Sequence, residues 1–245
     1  MIRIGTAEHG RMRRRFLRLD NGFEYFKGEW LESPATEAPS PTAFLVEQSA
    51  GSTLATHFHL QNEFQVVVAG DGRFGRHAVR AVSVHYAGAY TGYGPIVAGA
   101  SGLSYFTIRS MFESGAHFVP EARDRLKAGP KVQRFGEPID PIGPEQLRAM
   151  DAIHIDDIIP AEDGMLARVL RLPPGAPLPI RHEGASSGQF QMVLGGVLRA
   201  EAGPLGRFEM VFVTSDEADA GLVAGPDGAQ VLSLQLPPRA VEYEA

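Results

Sequence analysis

Three residues within seven positions have the types and spacing to do chemistry together. His57 and His59 are two apart, so an extended strand turns both imidazoles to one face, about 7 Å apart along the backbone. Glu63 follows after a short turn, where the chain can pair back as the next strand. Two imidazoles and one carboxylate make the facial set used by non-haem iron enzymes, and the same set suits manganese, nickel or zinc. The chain has no cysteine, which removes thiolate zinc sites and thiol nucleophiles. The expected cofactor is therefore a divalent ion, Fe, Mn, Ni or Zn, held by nitrogen and oxygen. Open coordination positions would mark it as catalytic rather than structural.

Other side chains are candidates for the same site. His85 lies on an alternating run that should line the same interior, which makes it a candidate further ligand. Gln65 shares strand parity with Glu63 and is placed to orient a ligand. Gln65, Tyr93 and Tyr105 are expected to line a substrate pocket. His77 follows a Gly72–Gly75 turn and reads as exposed, while His9, His117 and His154 have no partner at ligand spacing.

The elements that must position these residues are strands. The chain carries 28 glycines and 18 prolines in 245 residues, an excess that breaks helices and supplies turns. Ala78 to Tyr86 alternates, and Phe64 to Val68, Leu103 to Ile108, Met192 to Leu194 and Gln230 to Leu236 are short apolar runs bounded by Gly or Pro. An internal repeat organises them. Phe64-Gln65 recurs as Phe190-Gln191, Val67 as Val193, Gly70 as Gly196 and Gly102 as Gly228, each displaced by 126 positions. Upstream, Gly51 and Leu54 match Gly175 and Leu178 at 124. A constant offset is the mark of two copies of one domain. The expected boundaries are a first β domain at 1–118, a connector at 119–150 with short helices at Pro120–Lys127 and Pro144–Met150, and a second β domain at 151–245.

The segment Gly51 to Gly70 resembles the first motif of the cupin superfamily, Gly-x5-His-x-His-x3,4-Glu-x6-Gly, at all five positions. The resemblance implies an all-β fold of two tandem double-stranded β-helix jelly-roll barrels, a bicupin with a short, partly helical connector. It also implies a metal ion inside the mouth of the first barrel, held by His57, His59 and Glu63. The family's second motif, Gly-x5-Pro-x-Gly-x2-His-x3-Asn, is degenerate here. Aligned on Gly99, it puts Gly102 where the ligand histidine should be. In the second copy Arg181, Glu183 and Gln189 align with His57, His59 and Glu63. Arginine has no lone pair to offer a cation, so this barrel reads as metal-free, with Arg181 and Gln189 lining a vestigial pocket.

With 23 basic and 29 acidic residues, a net charge of -6 gives no support to nucleic-acid binding, and no apolar run reaches the ~18 residues of a membrane span. Arg13-Arg14-Arg15 lacks the apolar stretch that an export signal requires, so a cytoplasmic location is expected. The expected function is a small-molecule metalloenzyme with dioxygenase-like or Lewis-acid chemistry. The alternative is a small-molecule binding or sensing cupin without metal. Edge strands leave room for a homodimer.

Overall fold

The computed structural model describes residues 1–217 and 220–243. Its strands divide between two compact units that exchange their ends. One unit comprises Glu8–Ile139 with Pro238–Ala245, the other Asp140–Pro237 with Met1–Ala7. The division therefore falls at 139/140, within the expected 119–150 connector, whose first part packs with the first unit. The chain's first strand, Ile2–Gly5, pairs with Met210–Thr214 in the second unit. Tyr243, near the other end, is buried in the first unit, packs its ring at a tilt against Tyr90 and accepts a hydrogen bond from Lys131 on its hydroxyl at 2.9 Å.

In the first unit Glu63–Phe74 is the central strand, flanked by Ser83–Ala87 and Ile96–Arg109. Beyond Ile96–Arg109 the sheet continues through Thr42–Gln48 and Glu24–Leu31 to Arg15–Arg18. His57–Phe58 forms a separate short ladder with His117–Phe118. All of these pairings are antiparallel. Alternation sends Phe64, Val66, Phe106 and Ile108 to one face, where each is almost wholly buried. Each such side chain contributes about 1.5–3 kcal/mol on burial. The other face, at Glu63, Gln65, Thr107 and Arg109, is just as buried but polar. A polar face inside a barrel is where function is to be sought.

The second unit repeats this plan. Gly188–Ala200 pairs with Val223–Gln235 as Glu63–Phe74 pairs with Ile96–Arg109. The registers coincide under the 126-residue offset: Thr107 faces Gln65 and Ser233 faces Gln191. The matched glycines explain themselves here. Gly70 and Gly102 have φ of +74° and +82°, and a Cβ on Gly70 would run into the Gly102 carbonyl. Gly196 and Gly228 meet in the same way.

Two local expectations are corrected. Ala78 to Tyr86 is two strands, His77–Arg80 and Ser83–Ala87, separated by a turn at 81–82. The first pairs with the far end of Glu63–Phe74 and the second with its near end. Pro120–Lys127 holds only a 3-10 turn at Arg123–Arg125, whereas Pro144–Arg148 is an α-helix as its proline at N1 favours.

Candidate functional site

The polar face of the first unit opens into a cavity of about 1000 Å³, lined among others by Lys27, Phe44, His57, His59, Arg109 and Phe118. His57 and His59 converge, with ring centroids 5.3 Å apart, although only His57 and Phe58 are regular strand. Glu63 begins the next strand and is fully buried.

Hydrogen-bond chemistry fixes the protons. The Ala55 carbonyl can only accept, so His57 Nδ1, 2.8 Å away, carries a hydrogen and Nε2 presents its lone pair. That lone pair faces the Tyr93 hydroxyl at 3.0 Å. The single proton of that hydroxyl goes to Glu63 Oε1 at 2.6 Å, so its contact with His57 Nε2 has no hydrogen in it, and its oxygen accepts from Gln65 Nε2 at 3.0 Å. Gln65 also donates to Glu63 Oε1 and accepts, on its own oxygen, from His85 Nδ1 at 2.5 Å. On the other side Arg109 donates from Nε to Glu63 Oε2 at 2.8 Å and from Nη2 to His59 Nδ1 at 2.9 Å. An arginine nitrogen only donates, so His59 Nδ1 must accept, and the neutral ring then carries its proton on Nε2, 3.7 Å from Glu63 Oε1.

The electrostatics follow from burial and pairing. Burial pulls the Glu63 carboxyl up, but the Arg109 charge and the hydrogen bonds from Tyr93 and Arg109 outweigh it and hold it low, to about 2 where His59 is also protonated. Burial likewise works against the Arg109 charge, yet Glu63 and Glu113 raise its pKa, so the guanidinium stays charged. Burial is also the main cause that pushes His57 down to about 4 and His85 to about 3, and that pushes Tyr93 well up. At neutral pH the centre is thus a buried Arg109 guanidinium paired with Glu63, with the Glu113 carboxylate 4.0 Å from its Nε and neutral His57, His85 and Tyr93 around it.

These residues do not fit a metal ion as they are arranged. The Tyr93 oxygen sits at the point on which His57 Nε2 and Glu63 Oε1 converge. Arg109 already neutralises the carboxylate, and its hold on His59 Nδ1 puts a proton on the nitrogen that faces Glu63. Among the described residues no group of three or more His, Cys, Asp or Glu side chains is placed to hold a metal.

The structure also moves the second motif. Gly102 is the turn glycine itself, matched by Gly228 of Pro226-Asp227-Gly228, so Pro-x-Gly falls on Ala100-Ser101-Gly102. Tyr105 then holds the histidine position and Arg109 the asparagine position. Tyr105 lines the cavity and takes a hydrogen bond from Gln48 at 3.2 Å. His85 reaches the centre through its hydrogen bond to Gln65 and an edge contact with the Tyr93 ring 5.1 Å away, its Nε2 buried and without a hydrogen bond.

His117, set aside for want of a partner at ligand spacing, lies 3.6 Å from Glu113 and lines the same cavity. Glu113 accepts the Leu60 N–H at 2.9 Å and lies 3.4 Å from His59 Nδ1. Lys27, held by Glu29 at 2.9 Å, is 3.9 Å from the Phe44 ring centre, and desolvation lowers its pKa. Arg109, Glu113 and Lys27 were missed by sequence reasoning. For Arg109 the 126-residue offset held a signal, because it pairs Arg109 with Gln235 as it pairs Glu63 with Gln189.

In the second unit Arg181 is exposed; its contribution is a backbone carbonyl that accepts from Gln189 at 2.6 Å. Gln189 also donates to Gln235 Oε1 at 2.8 Å and accepts from Gln191 and Ser233. Gln235 donates in turn to the carbonyls of Gly164 and Glu183.

No family model and no curated protein matches the chain. Solved structures do. Over 97% of this chain and all of the other, it superimposes on the bacterial pirin YhhW in complex with nickel(II) from Escherichia coli, with a TM-score of 0.55 at 13% identity. An oxalate decarboxylase of Bacillus subtilis matches 94% of the chain and 77% of its own length, with a TM-score of 0.54 at 11% identity. A putative dioxygenase from Nostoc punctiforme matches 97% and 79%, with a TM-score of 0.53 at 10% identity. At such identities the likeness is one of fold: the chain has the cupin jelly-roll architecture. No helix among the described residues is long and apolar enough to cross a membrane.

Proposed function

We propose that the first barrel binds a small organic molecule directly through its side chains, and that the second barrel is a scaffold. The observation that carries this reading is the convergence of His57, His59, Tyr93 and Arg109 on one cavity of about 1000 Å³. That is the size and build of a ligand pocket, with apolar walls and a few fixed polar groups. Phe44, Val46, Leu54 and Phe118 supply the walls and His59, Arg109 and Glu113 the polar floor. The ligand this combination suits has a polar head and an apolar or aromatic body.

A fragment library screened by ligand-observed NMR tests the proposal. Hits should perturb the His57 and His59 imidazole resonances and should be lost when Ala116→Trp, at a residue that lines the cavity, takes up part of its space. A scaffold change, Gln191→Leu, should leave them unaffected. Hits that map only to other surfaces would count against the reading. The metalloenzyme expectation, with dioxygenase-like or Lewis-acid chemistry, would return if the protein purified with about one equivalent of iron, manganese, nickel or zinc.

A further inference from the structure

The misfit between this centre and a metal ion has a physical pattern of its own. A metal in such a site does two things: it occupies the point where the donors converge, and it supplies positive charge to a buried carboxylate. Both roles are already filled by side chains. The Tyr93 oxygen occupies the convergence point, 3.0 Å from His57 Nε2 and 2.6 Å from Glu63 Oε1. Arg109 supplies the charge through two nitrogens within 2.8 Å of Glu63 Oε2. Both side chains are buried to the same depth as the triad.

We infer that Tyr93 and Arg109 stand in for a metal ion, so that the first barrel is a metal-free centre with a permanent organic cation. Arg109 also sets His59 against ligation, because its N–H donates to Nδ1. A divalent ion entering the triad would have to expel the phenol, meet a fixed guanidinium and reverse the His59 tautomer. Each requirement disfavours the ion, and the charge repulsion acts where screening by water is weak. One nitrogen of the guanidinium, Nη1, carries no hydrogen bond among the described residues. It is the donor left over for a ligand in the cavity that Arg109 lines. The second barrel lacks the guanidinium and the carboxylate it pairs with, having Gln189 and Gln235 where the first has Glu63 and Arg109.

The test is a cobalt(II) titration of the untagged protein, read by visible absorption and by elemental analysis after desalting. The wild type should retain less than about a tenth of an equivalent. The variant Y93F/Y105H/R109N removes both stand-ins and restores the family's histidine and asparagine positions. It should bind about one equivalent with new visible bands, and adding H57A/H59A should abolish them. Stoichiometric cobalt on the wild type, lost in H57A/H59A, would overturn the inference, and that arm depends on no gain-of-function variant. A folded triple variant that stays metal-free would overturn the claim that these two residues close the site. Should the triple variant not fold, R109Q replaces it, with about tenfold or greater gain in cobalt affinity expected and no gain contradicting the inference. Metal uptake is measured on the free protein, so its outcome is independent of whether an organic ligand is found.

Discussion

The two barrels place different chemistry at the same address. Glu63 and Arg109 stand at the positions that Gln189 and Gln235 occupy 126 residues on, in the same register of the same strand pair. In the first barrel the pair is ionic, opens on a cavity and is ringed by histidine and tyrosine. In the second it is two neutral amides whose hydrogen bonds close on each other and on the carbonyls of Gly164, Arg181 and Glu183. His85 has Val211 as its counterpart, and Tyr105 has Val231. The jelly roll therefore requires a polar interior at this level in both copies, but not a charged one. A charge kept at a place where an amide suffices structurally points to use.

Substitutions can break the contrast. The largest effect is expected from Arg109→Met, which leaves Glu63 buried and unpaired and should cost the first unit about 3–5 kcal/mol in chemical denaturation. Replacing both partners, Glu63→Met with Arg109→Met, should recover much of that loss.

Acid should separate the barrels next. The folded-state values of His57 and His85, about 4 and about 3, lie below the ordinary 6.5. The unfolded chain therefore binds more protons in between. The stability this supplies is complete above pH 6.5 and is lost as pH falls toward 4 and 3. For His57 alone it is about 3 kcal/mol. Hydrogen exchange across pH 7 to 4.5 should show strands of the first unit losing protection before those of the second, and His85→Val should reduce the difference. Equal acid sensitivity of both units would contradict the assignment.

Gln189→Leu should cost the second unit about 2 kcal/mol by orphaning Gln235 and Gln191, with no effect on ligand hits in the first. The smallest change, Tyr105→Phe, removes one hydrogen bond to Gln48 and should cost about 1 kcal/mol in thermal unfolding.

Much of this was legible in the chain. Alternation and the glycine pattern point to strands, and the constant offset to two copies, because both are local or periodic signals. His57, His59 and Glu63 are drawn together as their spacing suggests. The identity of what lies between them was not legible, since Arg109 is 46 positions from Glu63 and is brought opposite by strand pairing alone. Tyr93 reads as pocket wall by its place near Gly94-Pro95; a bridge between its backbone and that of His57 turns its ring into the centre. Gly102 misled because Gly99 also offers the second motif a glycine; Pro226-Asp227-Gly228 under the 126-residue offset and the positive φ shared with Gly228 decide between them. The exchange of terminal segments leaves no sequence signal at all.

The most direct test of the account is the protonation of two rings. Nitrogen-15 NMR of the imidazoles at neutral pH should find His57 protonated on Nδ1 and His59 on Nε2, with neither moving when zinc or nickel is added in excess. A His59 protonated on Nδ1, with Nε2 shifting on addition of one equivalent of metal, would contradict it and return the centre to the metalloenzymes.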